Sequence, residues 1–303
     1  MIDPVLQQMI AAMAASGFAL PDPLEATAMR AVMDNPFPGA PIPIAEVRDV
    51  EIAGSAGPIA ARLYHPAPGE VRPVAILLHG GGWVLGTLET HDALARVLVR
   101  DGGCAVLSLD YRLAPEHPFP AAIDDVLAAI GALPAYAEQF GIRADRYAVV
   151  GDSAGGNLAA VAALLLAGKP NAPSGQVLFY PVVDRDFENA SYRANPEDSF
   201  LTTGMMRFFW DQYLGKSPLD HRSAPLRAAS LAGVAPATVI LAGNDPLHDE
   251  GFDYAVALRA AGVPTDLHDF SGGIHGFASF FGVAPISDQA IAIAVAALRR
   301  YLS

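Results

Sequence analysis

The feature that most constrains the fold is a series of short apolar runs that alternate with helical patterns. A run such as Val-Ala-Ile-Leu-Leu has no polar face, which is typical of a strand buried on both sides in a parallel sheet. Strands that alternate with helices predict an open α/β sheet with helices on both faces. The predicted strands are Val74–Leu78, Ala105–Leu109, Tyr147–Val150, Gln176–Tyr180, Thr238–Leu241 and Thr265–Asp269. The predicted helices are Thr90–Arg100, Ala121–Leu133, Ala154–Leu166, Asp249–Ala261 and Ser287–Tyr301.

Two more strands are predicted ahead of this series. Val47–Ile52 and Ile59–Tyr64 flank the turn sequence Gly-Ser-Ala-Gly, which indicates a β-hairpin. The sheet would then have about eight strands, with only the hairpin antiparallel. The chain thus predicts a mostly parallel sheet in a main domain of residues 46–303.

Two segments depart from the alternation. Residues 1–45 are rich in proline and helical patterns, and residues 185–222 carry aromatic residues and methionines at helical spacing. One interpretation of the second segment is an ordinary amphipathic helix that covers core. The other is a helical cap, built from both segments over the carboxyl edge of the sheet, where ligands bind in open α/β folds.

Charge and composition narrow the classes of partner. The net charge of −13 repels phosphate backbones and anionic lipids, so neither nucleic acid nor a membrane surface is an expected partner. The longest uncharged apolar stretches, Leu158–Gly168 and Ala290–Leu298, are shorter than the roughly 20 residues of a membrane helix. Asp3 stands where a secretion signal is basic, and the single cysteine cannot form an internal disulfide. A cytoplasmic protein is expected.

Gly151–Gly155, with the sequence Gly-Asp-Ser-Ala-Gly, matches the G-x-S-x-G pattern of a nucleophile elbow. Alone the pattern is weak, but here it follows a predicted strand and leads into a predicted helix. A serine on such a turn projects its hydroxyl away from the sheet, and the helix N-terminus offers N–H groups to a developing oxyanion. Ser153 is therefore the candidate nucleophile.

The same stretch has a second interpretation as a phosphate-binding loop. Gly151 and Gly156 have the required spacing, but Asn157-Leu158 stands where a P-loop has Lys-Ser/Thr. Without that lysine nothing reaches the terminal phosphates, so the nucleotide interpretation is disfavoured.

His79–Trp83, with the sequence His-Gly-Gly-Gly-Trp, follows directly on a predicted strand. Three consecutive glycines are costly to order and mark a close approach of the backbone to another group. The run is either a tight turn or a set of N–H donors around a carbonyl oxygen. Its presence beside an elbow favours the second interpretation.

A serine nucleophile needs a base, and the base needs an orienting acid. Of the eight histidines, His275 is the best candidate base, because it lies in a glycine-rich loop after the last predicted strand. Asp245, just past the strand before it, is the candidate acid. Asp249 is the second candidate, although its position suits a helix N-cap. The order Ser153, Asp245, His275 is the order of an α/β hydrolase.

Metal and cofactor chemistry have little support in the sequence. There is no H-E-x-x-H motif and no cysteine cluster, and His248-Asp249-Glu250 has no second ligand at helical spacing. No cofactor motif is present, so neither a cofactor nor a metal is expected.

Together these motifs resemble the hormone-sensitive-lipase-like bacterial carboxylesterases of the α/β-hydrolase superfamily. The resemblance covers most of residues 75–277 and includes Tyr111–Pro120, Asp245-Pro246-Leu247 and His275-Gly276-Phe277. It implies that Ser153, Asp245 and His275 form a catalytic triad. It implies oxyanion donors at the backbone N–H groups of Gly81, Gly82 and Ala154, with Gly80 as an alternative, and a supporting role for Tyr111–Pro120. It also implies that residues 1–45 and 185–222 form the cap. One departure is His248, where relatives often carry arginine.

The resemblance implies hydrolysis of short- to medium-chain esters by acyl transfer to serine. We expect the substrate pocket to be lined by Trp83, Phe209, Leu247 and Phe277. Amide or lactone hydrolysis would use the same groups, and a receptor that binds a small acid without turnover is the alternative outside enzymes. Relatives often form homodimers, which the apolar C-terminal strand and helix would allow.

Overall fold

One eight-stranded β-sheet forms the centre of the computed structural model, which describes residues 1–35, 41–195 and 200–303. The strands are β1 (Glu46–Gly54), β2 (Gly57–His65), β3 (Arg72–Leu78), β4 (Ala105–Leu109), β5 (Ile142–Asp152), β6 (Gly175–Phe179), β7 (Ala237–Asn244) and β8 (Thr265–Ile274). The helices are α1 (Pro4–Ala15), α2 (Ala26–Met33), α3 (Asp92–Gly102), α4 (Ala121–Phe140), α5 (Ala154–Leu165), α6 (Ala190–Ala194), α7 (Thr203–Leu214), α8 (His248–Ala260) and α9 (Pro285–Leu302).

The strand order is β1-β2-β4-β3-β5-β6-β7-β8. The hairpin strand β2 pairs antiparallel with β1 and β4, and the other neighbours in the sheet pair parallel. The predicted mostly parallel, eight-stranded α/β sheet is therefore confirmed. Because the carboxyl ends of β3, β5, β7 and β8 meet at one edge, the loops after them converge there.

Helices cover both faces of the sheet because its central strands are apolar on both sides. In β3, Val74 and Ile76 pack into the cluster that includes α4 and α5, whereas Ala75 and Leu77 pack into the cluster that includes α3 and α9. Successive strand residues point to opposite faces, so an unbroken apolar run fills two cores. The interpretation of these runs as doubly buried strands is confirmed.

Several element ends differ from the prediction, among them the ends of α4 and β8. Helix α4 continues past Pro134 to Phe140, although the prediction ended it at Leu133. Proline removes one backbone donor but does not stop a helix whose flanking turns are packed. Strand β8 runs on to Ile274, because a register shift between Ala242 and Asn244 lets β7 keep pairing with it. His275 therefore follows the strand directly.

The two segments predicted as a cap contain helices α1 and α2 and helices α6 and α7, respectively. Residues 36–40 and 196–199 of those segments lie outside the described residues. Arg30 in α2 donates to the carbonyl oxygens of Val84 and Ala114 and pairs with Glu116 at 2.7 Å, which fixes α2 to the main domain. Within the described ranges, the helices are all too short or too polar to cross a membrane.

Candidate active site

Ser153 occupies the sharp turn between β5 and α5. Its φ of 54° and ψ of −119° are a strained backbone conformation for a residue with a side chain. Glycines on both sides make the turn sterically possible. A Cβ at Gly151 would lie 2.3 Å from the carbonyl carbon of Gly155, and a Cβ at Gly155 would lie 2.0 Å from the carbonyl oxygen of Leu78. The local sequence thus holds the serine hydroxyl above the sheet edge.

His275 and Asp245 lie beside this hydroxyl, at the ends of β8 and β7. His275 Nε2 is 3.0 Å from Ser153 Oγ, and His275 Nδ1 is 2.7 Å from Asp245 Oδ2. Because an ionised carboxylate can only accept, Nδ1 carries the proton and Nε2 is free to accept from the serine hydroxyl. Asp245 is fully buried, and its Oδ1 accepts from Leu247 N at 2.9 Å. The structure brings the three predicted residues together.

Asp249, the second candidate acid, lies away from His275. Its carboxylate oxygens contact His248 Nδ1 at 3.0 Å and accept from Ser191 N at 2.8 Å. It is also not the N-cap of α8, since that helix begins at His248 and Leu247 precedes it. The structure therefore favours Asp245 as the partner of His275.

Two residues of the loop after β3, Gly80 and Gly81, line the same cavity as Ser153 and His275. Gly81 has a φ of 117° and Gly82 a φ of 61°, which favour glycine. In the described chain, the N–H groups of Gly81, Gly82 and Ala154 have no hydrogen-bond acceptor. The N–H of Gly80 donates to Asp152 Oδ1 at 2.9 Å, so it is already occupied. This geometry favours the first three groups over the Gly80 alternative as donors to an oxyanion.

The loop is supported from behind by the imidazole of His79. That ring is fully buried and stacks on Tyr111 with ring centroids 4.3 Å apart. Tyr111 Oη donates to the carbonyl oxygen of His79 at 2.6 Å. Burial lowers the pKa of His79 to about 4, so the ring is neutral near pH 7. These contacts give Tyr111 the supporting position that the sequence indicated for its segment.

A second imidazole–carboxylate pair, which the sequence did not indicate, lies close to Ser153 in the same cavity. His91 Nε2 is 3.0 Å from Asp152 Oδ1, and Thr90 Oγ1 is 2.9 Å from His91 Nδ1. Both members of the pair line the cavity. The available signal was Asp152 itself, since a carboxylate next to the nucleophile must find a partner when the site is buried.

A cavity of about 290 Å³ opens onto Ser153 and His275. Its wall is mostly apolar and comes from both predicted cap segments as well as the main domain. Beside residues already named, the wall includes Met13, Phe18, Val32, Met33, Asp34, Asn35, Leu85, Phe200, Leu201, Met205, Met206 and Phe209. A larger groove of about 680 Å³ lies between α3 and α9, and its lining does not include Ser153, Asp245 or His275, so we assign the site to the smaller cavity.

Of the four predicted lining residues, only Phe209 lies in this wall. Trp83, Leu247 and Phe277 are fully buried in the core, which corrects the prediction for them. Trp83 stacks on Tyr213 with ring centroids 4.1 Å apart. Each of the three follows a site residue closely in sequence, but its side chain turns inward to pack.

No group of three or more histidine, cysteine, aspartate or glutamate side chains is placed to hold a metal ion within residues 1–35, 41–195 and 200–303. The free thiol of Cys104 is buried, and burial raises its pKa to about 12.

A sheet of this strand order with a serine at the β5–α5 turn defines the α/β-hydrolase class of proteins. Residues 75–279 match the α/β-hydrolase-fold family. The chain is 42% identical to the carboxylic ester hydrolase LipN of Mycobacterium tuberculosis, over all of this chain and 84% of that protein. It is 38% identical to the ethyl acetate hydrolase of Pseudomonas putida, over 80% of this chain and 78% of that protein.

A solved structure gives the same result. An ester hydrolase from the metagenome of Lake Arreo, in complex with a derivative of bipyridine phosphonate, superposes with a TM-score of 0.91 at 38% identity, over 99% of each chain. The chain belongs to the α/β-hydrolase family, in its hormone-sensitive-lipase-like branch of carboxylic ester hydrolases.

Proposed function

We propose that the chain is a serine carboxylesterase that hydrolyses short- to medium-chain acyl esters with Ser153, His275 and Asp245 as its triad. The observation that carries the proposal is the hydrogen-bonded line from Ser153 Oγ through His275 to the buried Asp245, with distances of 3.0 and 2.7 Å. The relatives' names add ester hydrolysis as the reaction.

The first half of the reaction forms an acyl-enzyme. Ser153 Oγ attacks the carbonyl carbon of the ester while its proton passes to His275 Nε2. The carbonyl oxygen becomes an oxyanion that accepts from the N–H groups of Gly81, Gly82 and Ala154. As the tetrahedral intermediate collapses, His275 gives the proton to the leaving alcohol. The products of this half are the alcohol and acyl-Ser153.

The second half repeats these steps with water. His275 takes a proton from water, the hydroxide attacks the acyl carbon, and the new oxyanion occupies the same N–H groups. Collapse releases the carboxylic acid and returns the proton to Ser153 Oγ. Asp245 holds His275 in the tautomer that makes Nε2 the acceptor and stabilises the imidazolium that forms in both halves.

The size of the cavity supports a limited acyl chain. Pockets for drug-sized ligands measure about 300–1,000 Å³, and the cavity here, about 290 Å³, is at the low end of that range. The wall from residues 200–209 is uniformly apolar, which suits the acyl chain. The part of the wall from the N-terminal segment adds the polar residues Asp34 and Asn35, which suits the alcohol part of the ester. We propose that residues 1–45 and 185–222 together are a helical cap on a catalytic domain of residues 46–303.

The test is hydrolysis of p-nitrophenyl esters from acetate to palmitate by the wild type and by Ser153→Ala. We expect a rate maximum at short or medium chains and no turnover above background in the variant. A maximum at palmitate would contradict the small acyl pocket. Folded protein without activity on any ester would contradict the esterase and favour an amide or lactone substrate or a receptor. The cytoplasmic location and the homodimer stay predictions.

A further inference from the structure

We propose that His91 and Asp152 form a positioning pair that fastens the loop His79–Gly82 to the turn at Ser153, and so sets the N–H groups that hold the oxyanion. This inference rests on the proposed function, because it assigns a role within the same site. It makes neither residue a proton carrier in the reaction.

The carboxylate of Asp152 connects the turn at Ser153 with the loop His79–Gly82. Asp152 directly precedes Ser153, and its Oδ1 accepts from the N–H of Gly80, the residue directly before Gly81, at 2.9 Å. The same oxygen is 3.0 Å from His91 Nε2. One carboxylate oxygen thus joins the turn that carries the nucleophile to the loop that carries two of the oxyanion donors.

His91 holds that carboxylate in place. Because the carboxylate only accepts, Nε2 of His91 carries the proton that faces it. The other ring nitrogen, Nδ1, lies 2.9 Å from Thr90 Oγ1. Thr90 is itself tied to Thr87, because Thr90 Oγ1 accepts from Thr87 N at 2.9 Å and Thr90 N donates to Thr87 Oγ1 at 3.2 Å. The imidazole is therefore held at both nitrogens, which fixes the direction from which it donates to Asp152.

The approach of loop and carboxylate is close enough to need glycine. A Cβ at Gly80 would lie 2.3 Å from Asp152 Oδ2. Burial raises the pKa of Asp152, but the neighbouring imidazoles, His91 foremost, lower it by more, so the carboxylate stays ionised and keeps accepting near pH 7. A charged acceptor makes a stronger bond to the N–H of Gly80 than a neutral one would.

Both side chains are also next to the substrate space, with exposed fractions of 13% for His91 and 12% for Asp152. A misplacement of catalytic groups by about 1 Å can lower a rate by ~10²-fold. Loss of the pair should therefore reduce transition-state stabilisation before it reduces substrate binding.

The experiment compares His91→Phe, which removes both nitrogens, with His91→Gln, whose amide N–H can replace Nε2–H. The matched control is His221→Phe, at an exposed histidine. For each folded variant, kcat and KM are measured on p-nitrophenyl butyrate. Inhibition is measured with an alkyl trifluoromethyl ketone and with the corresponding methyl ketone. Ser153 Oγ adds to the carbonyl carbon of the trifluoromethyl ketone, its proton goes to His275, and the carbonyl oxygen becomes an oxyanion. The methyl ketone reports binding alone.

We expect His91→Phe to lower kcat by about 10- to 100-fold and to weaken inhibition by the trifluoromethyl ketone by a similar factor. In His91→Phe, the KM and the affinity for the methyl ketone should stay within twofold of the wild-type values. His91→Gln should recover most of the lost kcat, and the control His221→Phe should match the wild type. An unchanged kcat in folded His91→Phe, or an equal loss of affinity for both ketones, would overturn the proposed role of the pair. If His91→Phe does not fold, His91→Gln and Thr90→Val supply the same comparison. A wild type without Ser153-dependent esterase activity would instead overturn the proposed function.

Discussion

The sheet edge and the outer cavity wall are built on different principles. At the sheet edge, Ser153, Asp245 and His275 are each buried, held by hydrogen bonds and placed directly after a strand. In the wall, Phe18 is 40% exposed while Phe209 is 3% exposed, and both contribute apolar surface alone. The proposed chemistry thus depends on strand ends, whereas the size of the proposed substrate space depends on packing between segments distant in sequence.

One contact between the two regions lies at Gly82. This residue belongs to the loop His79–Gly82, called the oxyanion loop below, and a Cβ there would lie 2.3 Å from the ring of Phe209 in α7. At this contact a single methyl group would disturb both the donors and the wall.

The largest effect is expected for Asp245→Asn, which changes only the sheet edge. The amide keeps the shape of the side chain, but an N–H in place of Oδ2 would favour the tautomer of His275 that cannot accept from Ser153. In a comparable triad this exchange lowers kcat by about 10⁴-fold. We expect a loss of that order with an unchanged ranking of acyl chain lengths, measured on the p-nitrophenyl series.

The circular dichroism spectrum of Asp245→Asn should match that of the wild type. A loss of less than about tenfold in kcat would mean that Asp245 is not the orienting acid. Asp249→Asn is the matched variant, and its kcat should remain within a few-fold of the wild type.

Gly82→Ala should have the next largest effect, because it acts at the contact between the regions. The left-handed φ of 61° costs an alanine about 1–2 kcal/mol, and the Cβ would overlap the ring of Phe209. Loss of one oxyanion donor lowers kcat by about 10²–10³-fold, and we expect a result in that range. The double variant Gly82→Ala/Phe209→Ala should recover part of it.

Steady-state kinetics of the two single variants and the double variant measure this coupling. No recovery in the double variant would show that the backbone of Gly82, rather than the ring of Phe209, limits the loop. A wild-type kcat in Gly82→Ala would mean that the N–H of Gly82 does not bind the oxyanion.

The same contrast explains what the sequence could predict. The grouping of Ser153, Asp245 and His275 was predictable because strand ends and glycine-rich turns leave a local signature that needs no knowledge of packing. Three of the four lining residues were misplaced because closeness in sequence to a site does not set the direction of a side chain. Trp83, with a φ of 60°, turns away from the cavity to stack on Tyr213.

Long-range contacts explain what the sequence missed. No spacing rule relates His91 to Asp152, which lie 61 positions apart and meet because α3 follows the oxyanion loop. The apolar wall likewise combines residues near position 13 with others near 205, and many apolar residues would serve there equally well. The fold class was predictable because alternating strands and helices constrain the topology much more tightly.

A smaller effect should come from the wall alone. Met206 lines the cavity, whereas Leu247, which the sequence placed in the same wall, is fully buried in the core. Met206→Ala enlarges the apolar space, and each additional buried CH₂ contributes about 0.8 kcal/mol, roughly fourfold in kcat/KM. We expect the ratio of octanoate to acetate hydrolysis to rise several-fold.

Leu247→Ala is the matched variant for this prediction. It should lower the free energy of unfolding by about 2–5 kcal/mol, measured in urea, and leave the ratio of octanoate to acetate hydrolysis unchanged. The opposite result, a changed ratio in Leu247→Ala and none in Met206→Ala, would mean that the wall is the one first expected from sequence.

The smallest effect concerns the support of the sheet edge by His248. This imidazole lies between Asp249 on α8, at 3.0 Å, and Asp269 on β8, at 3.1 Å, so it joins the elements that follow Asp245 and precede His275. Burial lowers the pKa of His248, but the hydrogen bonds to the two carboxylates raise it by more, and the net direction is upward. The stabilisation is therefore complete below the unfolded pKa of about 6.5 and is lost as pH rises through the folded pKa.

Arginine stays charged at these pH values, so His248→Arg should keep the ion pairs that the wild type loses on the alkaline side. The Tm of His248→Arg minus the Tm of the wild type should therefore grow from pH 5 to pH 9. The growth should be equivalent to less than about 1 kcal/mol, because the two carboxylates are partly exposed. His248→Gln is neutral throughout and should be destabilised relative to the wild type at pH 5 but not at pH 9. Parallel Tm curves for His248→Gln and the wild type would show that His248 holds these elements by packing rather than by charge.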